Sequence, residues 1–152
     1  MRSIPIFLFV ILIILVSGCK EKTDCCVIID TDVQIHYQNQ SGENLINSSS
    51  DFDESNIKIY YKNGDEFEYI YKSNLDYPNM HRLNQDANGN LILTIFPSDY
   101  YEDNRSTTLI ALNPGVVDTL VCEFELGSNS QICTQAWLNG MKMNDRYIEI
   151  EK

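Results

Sequence analysis

Hydrophobic and polar residues alternate along most of the chain after residue 25, with the period of two that is typical of half-buried β-strands. The first alternating segment, Val27–Gln38, predicts one long strand with a single buried face. Its apolar positions are Val27, Ile29, Val33, Ile35 and Tyr37, and the opposite face carries Asp30, Asp32 and His36.

Later segments predict further strands that end at turn signals such as Asn113-Pro114-Gly115. These segments are Leu91–Phe96, Thr107–Leu112, Val116–Leu126, Ile132–Leu138 and Tyr147–Glu151. In the segment from Val116, the even positions Leu120, Cys122, Phe124 and Leu126 form the predicted inner face. Tyr77–Gln85 is the only segment with a weak helical pattern.

Ile57–Lys62 also alternates, and Asn63-Gly64 indicates a hairpin after it. A three-residue loop, Asn63–Asp65, places Tyr61 opposite Phe67 and Ile59 opposite Tyr69. A shift of one residue would turn these apolar side chains toward water. The pattern therefore favours the three-residue loop.

About seven or eight short strands, with a turn signal roughly every ten residues, predict an all-β fold. We expect residues 25–152 to form one antiparallel two-layer β-sandwich, immunoglobulin-like or transthyretin-like. A small β-barrel is the alternative.

The first residues have the features of an export signal, because Arg2 precedes the apolar run Ile4–Val16. A run of this length is too short to cross a bilayer, which needs about 20 helical residues. The residues that follow, Leu15-Val16-Ser17-Gly18-Cys19, closely resemble a bacterial lipobox. The resemblance implies a signal peptide over residues 1–18 and a diacylglycerol and an acyl group, such as palmitate, on Cys19.

The charged residues 19–24 predict a short tether and are similar to the segment that follows the lipid cysteine in surface-exported lipoproteins of the Bacteroidetes group. The mature chain resembles the small β-sandwich lipoproteins of uncharacterised function in that group. The resemblance implies an outer-membrane lipoprotein, on the periplasmic or the cell-surface side, and a non-catalytic binding or adhesion module.

The net charge of the chain is −11, from 22 acidic and 11 basic side chains. Removal of the signal takes away Arg2 and makes the charge one unit more negative. This charge excludes nucleic acid as a partner, because binding to phosphates needs clustered Lys and Arg. Contact with the membrane is therefore expected through the lipid on Cys19, with a glycan or a protein as the other partner.

Motifs for catalysis are missing from the sequence, which has no nucleophile elbow, phosphate-binding glycine loop or H-E-x-x-H. Only His36 and His81 could act as imidazole bases, and neither lies in a motif. We therefore predict no enzyme activity, no cofactor and no metal site.

The segment Pro97–Arg105 is the candidate ligand-binding loop, because it joins two predicted strands and combines tyrosines with acids. Its candidate residues are Asp99, Tyr100, Tyr101 and Asp103. Their acids favour a cationic or polyhydroxylated partner over an anionic one. The alternative function is an accessory hydrolase or carbohydrate-processing protein in which Asp99 and Asp103 act as paired carboxylates.

Four cysteines remain beside Cys19, and an exported domain meets an oxidising compartment. A Gly127-Ser128 turn would place Cys122 directly opposite Cys133, so this pair is the candidate disulfide. A bridge from Cys25 or Cys26 is the alternative. Trp137 lies between apolar neighbours and is expected in the core.

Overall fold

The computed structural model describes residues 26–152, and these form an all-β sandwich of two sheets. The predicted signal peptide, the tether, Cys19 and Cys25 lie outside the described residues. The strands are β1 (Ile28–Asp30), β2 (Val33–Gln38), β3 (Lys58–Asn63), β4 (Glu66–Tyr69), β5 (His81–Gln85), β6 (Leu91–Ile95), β7 (Arg105–Asn113), β8 (Val116–Leu126), β9 (Ser130–Leu138), β10 (Met141–Lys142) and β11 (Tyr147–Glu151).

The larger sheet has the strand order β1-β9-β8-β7-β3-β4, with β10 also paired to β9. The smaller sheet has the order β11-β2-β6-β5. Most pairs are antiparallel, but β1 runs parallel to β9 and β11 parallel to β2. The sandwich prediction is thus confirmed, with mixed sheets in place of purely antiparallel ones and with no closed barrel in this part of the chain.

The core lies between the two sheets and is built from the alternating apolar positions of their central strands. Its fully buried side chains include Ile35, Tyr37, Ile59, Leu93, Ile110 and Leu120. The alternation of β8 was predicted correctly at Leu120, Cys122 and Phe124, but Leu126 is 42% exposed because it lies at the end of the strand.

The prediction of one long strand over Val27–Gln38 is wrong. The chain pairs with the larger sheet in β1, leaves it at Thr31-Asp32, and enters the smaller sheet in β2. Ile29 is therefore 67% exposed, because within residues 26–152 neither face of edge strand β1 is covered. Val27, which directly precedes β1, is 70% exposed. Val33, Ile35 and Tyr37 are buried, as predicted.

The predicted hairpin register is also wrong, because the turn falls on Gly64-Asp65. Asn63 pairs with Glu66, Lys62 with Phe67, and Tyr60 with Tyr69. Phe67 and Tyr69 consequently share the outer face of the larger sheet with Tyr60, and their exposed fractions are 42% and 49%. β4 is an edge strand whose four residues are all exposed, so it contributes no side chain to the core.

Short 3-10 turns at Ser50–Phe52 and Glu54–Asn56 are the only helical elements in the described range. No helix between residues 26 and 152 has the length and apolar character needed to cross a bilayer. Tyr77–Gln85, the weak helix candidate, contains strand β5 and a preceding turn.

Candidate functional site

The candidate loop, residues 97–104, connects β6 in the smaller sheet to β7 in the larger one. Its first part is fixed from below, because the backbone N–H of buried Ser98 donates to Thr108 Oγ1 at 2.9 Å. The Ser98 hydroxyl in turn accepts from the N–H of Tyr100 at 3.1 Å. These bonds hold the loop as a defined structure on top of the sandwich.

The second part of the loop is a tight two-residue turn at Asp103-Asn104. Glu102 and Arg105 exchange two backbone hydrogen bonds, of 2.8 and 2.9 Å, around it. Asp103 and Asn104 both have positive φ angles, 51° and 62°, which Asp and Asn tolerate better than most residues. The N–H of Phe124 donates to the Asn104 carbonyl at 2.8 Å and ties the turn to β8.

The two tyrosines of the loop have different environments. The Tyr101 ring packs edge-on against Phe124, with the ring centroids 5.0 Å apart, and supports the loop from inside. Partial burial raises the pKa of Tyr101, and the nearby Asp99 carboxylate raises it further. The Tyr100 ring is 42% exposed and meets the buried Tyr61 ring edge-on at 6.5 Å. Tyr100 is therefore the more exposed of the two tyrosines of the loop.

Tyr100 lies beside a groove of about 360 Å³, named here the loop groove. The groove brings three predicted residues together, Asp99, Tyr100 and Tyr101. Its other lining residues are Lys62, Asn63, Gly64, Glu102, Arg105 and Thr107.

Cations on neighbouring strands and loops neutralise the acids of the loop groove. Asp99 pairs with Lys72 at 3.2 Å, and Glu102 pairs with Lys62 at 3.3 Å. Asp103 does not line the loop groove; it borders an adjoining depression of about 410 Å³ that contains Glu123 and Val121. Asp99 and Asp103, the pair expected of a hydrolase, thus face different depressions.

The predicted register of Cys122 and Cys133 is wrong. Cys122 lies opposite Ala136 and Cys133 opposite Phe124, because a bulge at Thr134 adds one residue to β9. The bulge turns Cys133 and Ala136 both toward the core. The Cys122 thiol donates a hydrogen bond to the Cys133 sulfur, and the Cys133 thiol donates to the Gln135 carbonyl at 3.5 Å.

The candidate disulfide is not formed in the structure, in which both cysteines are free thiols. The hydrogen bond to Cys133, together with burial, raises the pKa of the Cys122 thiol. The same hydrogen bond lowers the pKa of Cys133, and the positive charge of Arg146 lowers it as well.

Cys122 and Cys133 are expected to react slowly with iodoacetamide in the folded protein, because their side chains are buried. Cys26 is exposed and should react quickly. Mass spectrometry of peptides from a non-reducing time course measures the three rates, and denatured protein supplies the fast reference for each thiol. Recovery of a disulfide-linked Cys122–Cys133 peptide from untreated protein would contradict the prediction.

Both histidines occupy enclosed positions in the smaller sheet, although His36 was expected on its polar face. His36 is buried, with Nε2 3.2 Å from the Asn44 amide oxygen. Burial lowers the pKa of His81, which keeps its ring neutral at pH 7. Asp30 pairs with Arg146 at 2.7 Å. Across residues 26–152, no three His, Cys, Asp or Glu side chains converge as metal ligands.

Sequence reasoning missed the outer face of the larger sheet. Trp137 was expected in the core, but it lies on this face, and the Arg105 guanidinium stacks over its ring at 5.3 Å. Tyr60 and Tyr69 also stand there, with ring centroids 5.7 Å apart. The signal that could have identified this face is an excess of aromatic residues over the number that one sandwich core can bury.

No protein family model, no curated protein and no solved structure matches this chain.

Proposed function

We propose that the protein is a lipid-anchored, non-catalytic binding module of the outer membrane that uses the loop groove to hold a partner. The observation that carries the proposal is the exposed ring of Tyr100, which a rigid loop holds beside that groove. A fixed aromatic ring offers a large contact area and loses little conformational entropy when a partner binds.

Buried and packed side chains support Tyr100 and its loop from below. Tyr61 is fully buried below the ring, and its hydroxyl donates to the Phe96 carbonyl at 2.8 Å. Tyr101 packs on Phe124, and Ser98 is held by Thr108. The loop therefore has its binding shape before a partner arrives, and this lowers the entropic cost of binding.

The charge of the loop groove favours a polyhydroxylated partner. Lys72 pairs with Asp99, and Lys62 pairs with Glu102. The negative electrostatic potential at the loop groove is therefore weaker than the acids in the sequence indicate, and it attracts a simple cation only weakly. Hydroxyl groups can donate to the carboxylates and accept from the ammonium groups without a net charge. The proposed partner of the loop groove is therefore a glycan surface.

Tyr100→Ala is expected to lower binding to glycans by about tenfold, because it removes the exposed anchor of the loop groove. The measurement uses the full-length lipidated protein in detergent on an array that contains neutral, cationic and anionic oligosaccharides. Tyr71→Ala is the matched control, since Tyr71 is 59% exposed and lies outside the groove.

Tyr101→Ala gives a second test of the loop groove. It removes the support of the loop, and we expect it to reduce both glycan binding and thermal stability, whereas Tyr100→Ala reduces binding alone. Equal binding by the wild-type protein and Tyr100→Ala would overturn the role of the loop groove.

A further inference from the structure

A second and larger groove lies on the outer face of the larger sheet, and it is named here the sheet groove. It encloses about 880 Å³, which is within the range of about 300–1,000 Å³ found for small-ligand sites. Its floor is formed by Tyr60, Phe67, Leu109, Ala111 and Val117, and its walls by Asp51, Ser55, Asn56, Lys58, Asn113 and Pro114.

The floor of the sheet groove is apolar although it faces solvent. Phe67 and Val117 are 42% and 51% exposed, and the outward face of a sheet sandwich is ordinarily polar. Tyr60 is held in place by its contact with Tyr69, at 5.7 Å between ring centroids. The groove therefore offers a pre-positioned aromatic surface.

The walls of the sheet groove carry hydrogen-bonding groups of both kinds. Asp51 supplies a carboxylate and Lys58 an ammonium group, and within the described residues neither forms an ion pair. Asn113 accepts from the N–H of Gly115 at 2.8 Å through its Oδ1, which leaves its NH₂ group as a donor. One unpaired acid and one unpaired base leave the walls without net charge.

Three of the four strands that form the floor cannot accept an added strand. β3, β7 and β8 each have hydrogen-bonded neighbours on both sides, so their backbone N–H and C=O groups are already paired. β4, which supplies Phe67, is an edge strand, so an extended peptide could pair with it beside the groove. Across the floor itself a peptide could bind only through side chains, without the main-chain bonds that give strand addition its affinity. The site thus suits a ligand that is apolar on one face and rich in hydroxyls at its edges.

We infer that the sheet groove binds a neutral oligosaccharide. The C–H face of a sugar ring packs on Tyr60 and Phe67, while its hydroxyls donate to Asp51 and accept from Lys58 and Asn113. The inference rests on the proposed binding role of the domain and adds a second site to it. The two grooves adjoin, because Lys62 of the loop groove lies directly opposite Phe67 of the sheet groove in the backbone register of β3 and β4.

The test is an array of neutral, uronate-containing and sulfated oligosaccharides, together with a library of extended peptides, probed with the full-length lipidated protein in detergent. The wild-type protein is expected to bind neutral members. Tyr60→Ala and Phe67→Ala should each lower that binding by about tenfold. Asp51→Asn and Lys58→Gln test the walls without removing packing, and each is expected to weaken binding severalfold. Tyr71→Ala again serves as the exposed aromatic control.

The outcomes separate this inference from the proposed function. If Tyr100→Ala abolishes glycan binding while Tyr60→Ala and Phe67→Ala leave it unchanged, the sheet groove is not a glycan site, and the loop groove stands. Selective binding to sulfated or uronate-containing members, binding to an extended peptide library only, or no binding on any array overturns the inference. Circular dichroism of each variant distinguishes a lost contact from a lost fold.

Discussion

Asp118→Ala is expected to destabilise the folded domain by about 3 kcal/mol, because it breaks a buried charged network. Asp118 is on β8 and is 1% exposed. Its carboxylate accepts a hydrogen bond from the hydroxyl of Tyr37 at 2.9 Å and one from the Asn139 amide at 2.6 Å. Lys152 Nζ completes the network with an ion pair.

This network connects parts of the fold that are distant in sequence. Tyr37 belongs to the smaller sheet and Asp118 to the larger one, and Lys152 directly follows β11. Burial, and next the Asp118 charge, raise the pKa of Tyr37 well above its usual value, so its hydroxyl stays protonated and donates. Removal of the carboxylate leaves the Tyr37 hydroxyl buried without its acceptor, which adds to the cost.

Chemical denaturation of the full-length protein in detergent measures the effect, as a lower midpoint with an unchanged slope. Glu123→Ala is the matched control, because it removes the exposed ion pair with Arg105 and should cost less than about 1 kcal/mol. Tyr37→Phe should lie between the two. Equal midpoints for Asp118→Ala and Glu123→Ala would show that the network does not stabilise the fold.

Central strands were predictable from the sequence because one of their faces is buried against the opposite sheet and the other faces outward. In β7 and β8 the inner residues meet the opposite sheet, so apolar and polar positions must alternate. The predicted bounds of the central strand β8, Val116–Leu126, are the observed ones. Alternation in such strands follows directly from burial.

Edge strands β1 and β4 were predicted poorly because this constraint is missing there, whereas the bounds of edge strand β11, Tyr147–Glu151, were predicted correctly. β1 and β4 extend beyond the cover of the smaller sheet, so their apolar residues need not point inward. The assumption that apolar side chains avoid water selected the wrong register for the hairpin at Gly64-Asp65. The predicted register would have buried Phe67 and Tyr69, which instead lie on the outer face of the larger sheet.

The candidate site could be predicted in part. A loop rich in tyrosine and acid between two strands identified Tyr100, since loops on a rigid sandwich are commonly used for binding. The sheet groove could not be predicted, because it depends on the register of β4 and on the position of the 3-10 turns around Asp51 and Ser55. These are long-range features that no local pattern specifies. The bulge at Thr134, which changes the pairing of the cysteines, is of the same kind.

Cys19→Ala is expected to release the protein from membranes, because the proposed anchor is the lipid on that residue. Cys19 lies outside the described residues, so this prediction rests on the sequence Leu15-Val16-Ser17-Gly18-Cys19 and its resemblance to a lipobox. Each acyl chain contributes about 0.8 kcal/mol per buried CH₂, and several chains together hold a protein stably where one does not. Without the lipid, charge does not hold the protein at the membrane, because the net negative charge of the chain is repelled by anionic lipids.

Fractionation of cells into membrane and soluble parts, combined with labelling by radioactive palmitate, measures the change. The wild-type protein should carry label and sediment with membranes, and Cys19→Ala should lose both properties. Cys26→Ala is the matched control, because Cys26 is a nearby exposed cysteine outside the lipobox and its loss should leave anchoring unchanged. A mature protein with a free thiol at Cys19, or label that depends on Cys26, would contradict the lipid anchor and leave the two grooves without their proposed location.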